Sequence, residues 1–181
     1  MDTPFPSAEK GMPGYDPSEV TDFLERAKRV FEEHEDGLGS ADIRHKVFPL
    51  ISKDGFATKA VDEALWRLEE AFADKERLEQ TEIMGEETYY QDVRERAQEI
   101  LDRAARPDKL KFRRVSVVRP GYHLGDVDDL CSQIAGYFQQ KDALSVAAVR
   151  RALLRTTLHG YDEAQVDALL DDTISVMLAV R

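Results

Sequence analysis

The sequence is poor in the features that mark disulfide-bonded, membrane-spanning or secreted proteins. Its 181 residues include one cysteine, Cys131, so no internal disulfide can form. Cys131 occupies a leucine-like position and is expected to be buried. No apolar run approaches the roughly 18 residues of a transmembrane helix, and the segment MDTPFPSAEK lacks the basic and apolar regions of a signal peptide. These absences predict a cytoplasmic protein.

Catalytic and metal-binding motifs are also missing. The sequence has no nucleotide-binding glycine loop and no nucleophile elbow. Its histidines form no ligand spacing such as HExxH; they are His34, His45, His123 and His159. Three aspartates near predicted helix starts are explained by the helix dipole and by solvation; they are Asp62, Asp128 and Asp167. We therefore expect no enzymatic activity, no cofactor and no metal.

The net charge of −11 is unevenly distributed. Residues 1–107 hold 15 Lys and Arg against 26 Asp and Glu, whereas residues 108–181 hold 10 of each. The basic residues of the second part include a compact cluster: Lys109, Lys111, Arg113, Arg114 and Arg119. An acidic chain lacks the broad positive surface that duplex nucleic acid requires, so no nucleic acid is expected as a partner. A nucleic-acid-binding protein that uses residues 109–119 is the least favoured alternative.

One motif occurs four times, as GYDPSEVTDFL, GFATKAVDEAL, GYHLGDVDDLC and GYDEAQVDALL. Each copy has a glycine, an aromatic residue and then a stretch with apolar residues at helical spacing. The glycine and aromatic pairs are Gly14 and Tyr15, Gly55 and Phe56, Gly121 and Tyr122, and Gly160 and Tyr161. We interpret each pair as a structural turn that starts an amphipathic helix, with glycine supplying a positive φ angle.

Capping residues predict where the helices begin. Asp16 and Asp162 are the expected N-caps of the helices in the first and fourth copies. A short helix of about two turns precedes the second and fourth copies, and each is expected to begin with a capping serine, Ser40 or Ser145. Extended arms that open with Phe5 and Phe112 precede the other two copies.

The four copies form two larger blocks. Phe5 and Gly14 recur 107 residues later, and Ser40 and Gly55 recur 105 residues later. The sequence therefore predicts an all-α protein with two homologous blocks, residues 1–72 and 108–181. A helical linker, residues 73–107, is expected to be interrupted near Gly85 and to end at Pro107. The blocks are expected to pair as an internal pseudo-dimer or a homodimer, with a short coiled coil possible.

The pattern resembles the N-terminal domain of DivIVA. In that family a short helix carries Ile and Phe five residues apart, and a loop then leads to Gly-Tyr and a long helix that starts near Val-Asp or Val-Asn. The corresponding residues in the second copy are Ile43, Phe48, Gly55, Phe56, Val61 and Asp62, and in the fourth copy Val149, Leu154, Gly160, Tyr161, Val166 and Asp167. The resemblance implies a non-enzymatic scaffold of bacterial cell division or polar growth. Such proteins bind the inner face of the membrane at septa and poles and recruit division or cell-envelope proteins.

Family resemblance also implies where a membrane would be contacted, because DivIVA uses the loop before its Gly-Tyr pair. Carried over, the membrane-contact candidates are Val117, Val118, Arg119, Leu158 and His159. No loop carries the aromatic and arginine pair that the family uses there. A second function therefore remains open, that of a soluble adaptor which has lost membrane binding and presents acidic helices to a protein partner.

Three further residues are candidates for partner contacts. Arg44 and Arg150 occupy equivalent positions after Ile43 and Val149, and each is expected either to bind a partner carboxylate or to form an internal salt bridge. Trp66 lies one position beside the apolar stripe of its helix. It is therefore expected either at the edge of the core or as an exposed anchor for a partner.

Overall fold

The computed structural model describes residues 4–33 and 37–181, and these residues are mostly helical, as the sequence predicts. Within them are seven helices and four short strands. In chain order the elements are β1 (Gly14–Tyr15), α1 (Pro17–Glu33), α2 (Ser40–Arg44), β2 (Leu50–Ile51), α3 (Thr58–Met84), α4 (Glu86–Ala104), β3 (Pro120–Tyr122), α5 (Leu124–Phe138), α6 (Val146–Arg150), β4 (Thr156–Leu158) and α7 (Glu163–Ala179).

The chain divides into two compact units, residues 1–79 and 80–181. Gly85, with φ of 83°, separates α3 from α4, where the sequence predicts an interruption. The expected linker, residues 73–107, is distributed over both units. Helix α4 contacts α5 and α7 and buries Val93, Ile100 and Ala104 among their apolar side chains. It is therefore part of the second unit's core.

The core of the first unit joins one face of α1 to one face of α3. Helix α1 begins as predicted: Asp16 Oδ1 accepts a hydrogen bond of 2.9 Å from the Ser18 backbone N–H, and Pro17 is the first helical residue. The buried side chains of α1 and α3 recur at helical spacing, and they pack against one residue of α2 and two residues of the connecting segments. These core residues are Val20, Phe23, Ala27, Val30, Val61, Leu65, Phe72, Ile43, Phe48 and Phe56.

The second unit has a three-helix core. The faces of α5 and α7 that the sequence predicts to be buried are buried, and they enclose Cys131 at 1% exposure. Burial raises the pKa of the Cys131 thiol to about 12, so it is a poor nucleophile. Together with α4, the residues that form this core include Val127, Leu130, Ile134, Val166, Leu169 and Val176.

The two short helices are shorter than the sequence predicts, with five residues each. Ser145 caps α6 as expected, since its side chain accepts a 3.1 Å hydrogen bond from the Ala148 N–H. The prediction that Ser40 caps α2 is wrong, because Gly39 is the N-cap residue. Glu76 of α3 instead accepts hydrogen bonds of 2.6 Å from both the backbone N–H and the hydroxyl of Ser40.

Each unit contains one antiparallel pair of short strands. In the first unit Gly14 lies opposite Ile51 and Tyr15 opposite Leu50; in the second, Gly121 lies opposite Thr157. The aromatic residues add isolated bridges, which join Tyr15 to Phe56 and Tyr122 to Tyr161. The two glycine–aromatic turns of one unit therefore lie directly against each other.

This contact explains the four repeated glycines and corrects the reason predicted for them. Gly14, Gly55, Gly121 and Gly160 do not have positive φ angles; the residues at φ of 58° and 57° are Asp54 and His159, which precede two of them. A Cβ added at Gly55 would lie 2.7 Å from the Gly14 Cα. One added at Gly14 would lie 2.5 Å from the Phe56 carbonyl oxygen. Glycine is required because two backbones touch.

Candidate functional site

In each unit a hydrogen bond from a tyrosine to an aspartate ties one turn to the helix that follows the other turn. In the first unit the Tyr15 hydroxyl donates to Asp62 Oδ1 at 3.1 Å. In the second unit the Tyr161 hydroxyl, fully buried, donates to Asp128 Oδ1 at 2.9 Å. Asp62 and Asp128 therefore accept structural hydrogen bonds. From the sequence alone, they are explained by the helix dipole and by solvation.

The region around Tyr161 is the most polar part of the second core. Asp128, 5% exposed, also accepts a 2.9 Å bond from the Lys109 backbone N–H, and the Tyr161 oxygen accepts one of 3.3 Å from the Lys111 N–H. Burial and the neighbouring Asp128 raise the pKa of Tyr161, which keeps the phenol protonated and able to donate. The arm at residues 109–114 is therefore fixed to the core at two points.

An exposed apolar tip forms at one end of the strand pair β3–β4. The Arg119 N–H donates to the Ser116 carbonyl oxygen at 3.0 Å, which closes a turn with Val117 and Val118 at its two central positions. Their side chains are 67% and 78% exposed. Leu158, 64% exposed, is paired with Pro120 at the same end of the hairpin. We call Val117, Val118 and Leu158 the apolar tip.

His159 holds this turn in place. Its backbone N–H donates to the Arg119 carbonyl oxygen at 3.1 Å, and its Nδ1 lies 2.7 Å from the Val115 carbonyl oxygen. Its left-handed φ of 57° redirects the chain into Gly160. The structure therefore brings together all five membrane-contact candidates, although His159 is half-buried and acts as a brace for the turn.

The basic cluster provides fewer surface charges than its sequence suggests. Lys111 is 3% exposed, and its Nζ donates to the Ala104 and Arg106 carbonyl oxygens at 2.8 and 2.6 Å. It thereby satisfies the carbonyl end of α4, a role that the sequence gives no signal for. Arg113 pairs with Asp162 at 2.6 Å. Arg119 is exposed and has no ion-pair partner among residues 4–33 and 37–181, so it is the cation most available beside the apolar tip.

An ion pair joins Arg155, which immediately precedes β4, to Asp126 of α5. The Arg155 guanidinium donates to both oxygens of Asp126 at 2.6 and 2.9 Å, and its backbone N–H adds a third bond of 3.0 Å. The hydrogen bonds from Arg155 hold the pKa of the Asp126 carboxyl well below its usual range. The ion pair connects the first turn of α5 to β4. Sequence reasoning missed it because the two residues are far apart along the chain.

The equivalent turn of the first unit has the same hydrogen bond but different side chains. The Met12 N–H donates to the Glu9 carbonyl oxygen at 2.9 Å, so Lys10 and Gly11 take the central positions. Gly11 has φ of 86° and open space around it. Residues 52–54, which precede Gly55, are Ser, Lys and Asp and are exposed. Met12, at 60%, is the exposed apolar side chain of this turn.

The three partner-contact candidates are buried to different degrees. Arg44 Nε donates to Glu69 Oε1 at 2.7 Å, and the two side chains are 9% and 1% exposed. Arg44 therefore forms the internal salt bridge that was one of its two expected roles. Trp66 and Arg150 are half-buried. For Trp66 and Arg150 a role in partner contacts stays a prediction.

The described residues form no arrangement typical of a catalytic or metal site. A groove of about 380 Å³ in the second unit is lined by Arg96, Arg103, Glu99, Asp172, Gln165 and apolar side chains, without a hydroxyl, thiol or imidazole group. Within the described part of the chain no group of three or more His, Cys, Asp or Glu residues is placed to hold a metal ion. His34 lies outside the described residues. Over the same ranges no helix is long and apolar enough to span a bilayer.

No family model, curated protein or solved structure matches this chain. The function must therefore be inferred from the chain's own residues and their arrangement.

Proposed function

We propose that this protein is a non-enzymatic scaffold or adaptor of the DivIVA type, which acts in bacterial cell division or polar growth by binding membrane and protein partners. The proposal has two supports. One is the resemblance of its repeated Gly-aromatic turns to DivIVA. The other, which carries the proposal, is the apolar tip of Val117, Val118 and Leu158 beside Arg119.

Three exposed aliphatic side chains lie at one end of a hairpin, two on its turn and one on β4, and such a cluster is unusual on a surface that contacts only water. Full burial of a valine or leucine contributes about 1.5–3 kcal/mol. Because the three are about two-thirds exposed, insertion of the tip would gain about 3–6 kcal/mol in all. Arg119 adds roughly 1 kcal/mol beside an anionic leaflet. This is enough for weak, reversible binding and too little for permanent attachment.

The position of the tip suits this use. The turn at residues 116–119 is closed by its own hydrogen bond and braced by His159, so insertion orders few additional groups. By the resemblance to DivIVA, we place the protein at the inner face of the cytoplasmic membrane, at the septum or pole. Its partners would be division or cell-envelope proteins. Several chains bound to one partner would strengthen attachment through effective concentration.

Co-sedimentation with phosphatidylglycerol vesicles, at low and at physiological salt, tests the membrane part. The parent chain is compared with Val118→Asp/Leu158→Asp and with Leu153→Asp. Leu153 is 93% exposed and precedes β4, so its variant replaces one exposed leucine with aspartate outside the tip. We expect the parent and Leu153→Asp to sediment with vesicles and the double variant to stay in solution. Equal sedimentation of all three, or of none, would contradict the proposal.

A soluble adaptor is the second candidate, favoured by one observation. Residues 1–79 hold 11 Lys and Arg against 19 Asp and Glu, so the first unit carries most of the negative charge. An acidic surface suits a basic protein partner better than an anionic membrane. Absence of vesicle binding, together with salt-sensitive capture of a division or cell-envelope protein on the immobilised chain, would favour this function.

A further inference from the structure

The two units carry a hydrogen-bonded turn at the same place in the repeat but offer different surfaces to a membrane. In both, a backbone hydrogen bond closes four residues, Glu9 to Met12 at 2.9 Å and Ser116 to Arg119 at 3.0 Å. The central pair is Lys10 and Gly11 in the first unit and two valines in the second. The turns therefore share a place in the repeat and a closing hydrogen bond, but they differ in side chains and, at Gly11 with φ of 86°, in backbone conformation.

The surroundings of the turns reinforce this difference. Leu158 extends the apolar tip of the second unit, whereas exposed Ser, Lys and Asp residues at 52–54 precede the corresponding glycine of the first unit. Met12 is one isolated apolar side chain among them. Insertion of the first turn would bury one apolar side chain, Met12, and would have to remove water from the carboxylate of Asp54, which costs more than burial of Met12 returns.

We propose that each chain inserts a single turn into the bilayer, that of the second unit, while the corresponding turn of the first unit stays in water. This inference rests on the proposed membrane function and adds the number of turns that each chain inserts. One insertion per chain keeps binding weak for isolated molecules. It also keeps the turn of the first unit, which has the excess of acidic residues, in water.

Site-specific fluorescence distinguishes the turns in the full-length chain. Val118→Cys and Lys10→Cys are each labelled with the environment-sensitive dye NBD and mixed with vesicles of equal parts phosphatidylglycerol and phosphatidylcholine. Cys131 is buried and its thiol pKa is raised to about 12, so the native chain should take no label and serves as the control. A co-sedimentation assay on the same samples reports binding independently of insertion.

We expect a blue shift and a several-fold rise in emission for the dye at position 118, and no change for the dye at position 10. A shift at both positions, or at position 10 alone, would overturn the single-turn proposal and leave membrane binding intact. Co-sedimentation without a shift at position 118 would overturn it as well. Absence of both a shift and co-sedimentation would remove the proposed membrane function itself.

Discussion

The Tyr161 hydroxyl donates a 2.9 Å hydrogen bond to Asp128, and so joins the fourth glycine–aromatic turn to the helix that follows the third. Tyr15 and Asp62 make the corresponding bond in the first unit, in the opposite direction between half-repeats. Because each bond crosses from one half-repeat to the other, neither half can keep its turn in place alone. The hairpin that presents the apolar tip therefore depends on contacts between halves.

Removal of the Tyr161 hydroxyl should destabilise the second unit. In Tyr161→Phe, a buried carboxylate and the Lys111 N–H lose a partner, so we expect a loss of about 1–3 kcal/mol in the free energy of unfolding. Tyr122→Phe is the matched change at a half-buried position of the same unit and should cost less. Urea unfolding followed by circular dichroism measures both. A larger effect for Tyr122→Phe would contradict this assignment of the buried bond.

The reason given for the repeated glycines can be tested within the first unit. Gly55→Ala places a Cβ 2.7 Å from the Gly14 backbone, so we expect a loss of more than about 3 kcal/mol or an unfolded unit. In Gly11→Ala the added Cβ meets open space, and the variant loses about 1–2 kcal/mol because alanine must adopt a positive φ. Fluorescence of Trp66, the sole tryptophan, reports unfolding of this unit. Equal costs for the two variants would argue against the close approach.

The buried ion pair of Arg44 and Glu69 gives a third prediction. Either Arg44→Met or Glu69→Leu alone leaves a buried charge and should cost about 3–5 kcal/mol. The double variant replaces the pair with apolar groups and should recover most of that loss. The free energies of unfolding of the parent, the two single variants and the double variant form a double-mutant cycle that measures this coupling. If Arg44→Met kept full stability and lost only partner capture, Arg44 would be a docking residue.

Acid stability should depend on Asp126 and Arg155. The folded-state pKa of Asp126 lies well below its usual value, so the stabilisation is complete above the unfolded-state pKa of about 4 and is lost as pH falls through the folded value. Arg155→Gln should therefore be less stable than the parent at pH 6, and the difference should narrow below about pH 4. Urea unfolding at pH 6 and pH 3 measures it. A difference that widens toward pH 3 would contradict the sign.

Local signals in the sequence predicted much of this fold. Helical spacing found the buried faces of α1, α3, α5 and α7, and the caps at Asp16 and Ser145 have the expected hydrogen bonds. Gly85 interrupts the helical stretch where the sequence indicated. Each of these features depends on residues within one or two turns of each other, which is the range over which pattern and propensity act.

The errors concern contacts between distant residues. The glycines are explained by a second backbone, and the N-terminus of α2 is completed by Glu76 of α3. An amphipathic stripe showed that α4 has a face to bury, but it did not show which unit receives that face. The sequence places Lys111 in a basic cluster, whereas its Nζ donates to a carbonyl oxygen at the end of α4. A single sequence contains no local signal for these pairings.

The most direct test of the central claim is the partition constant of the full-length chain on phosphatidylglycerol vesicles, measured for the parent and for Val118→Asp. Loss of one inserted valine and addition of a charge at the tip should lower the constant at least about tenfold, equivalent to about 1.4 kcal/mol. Leu153→Asp should leave it unchanged. A parent chain that does not partition, or a Val118→Asp variant that partitions as the parent does, would contradict the account.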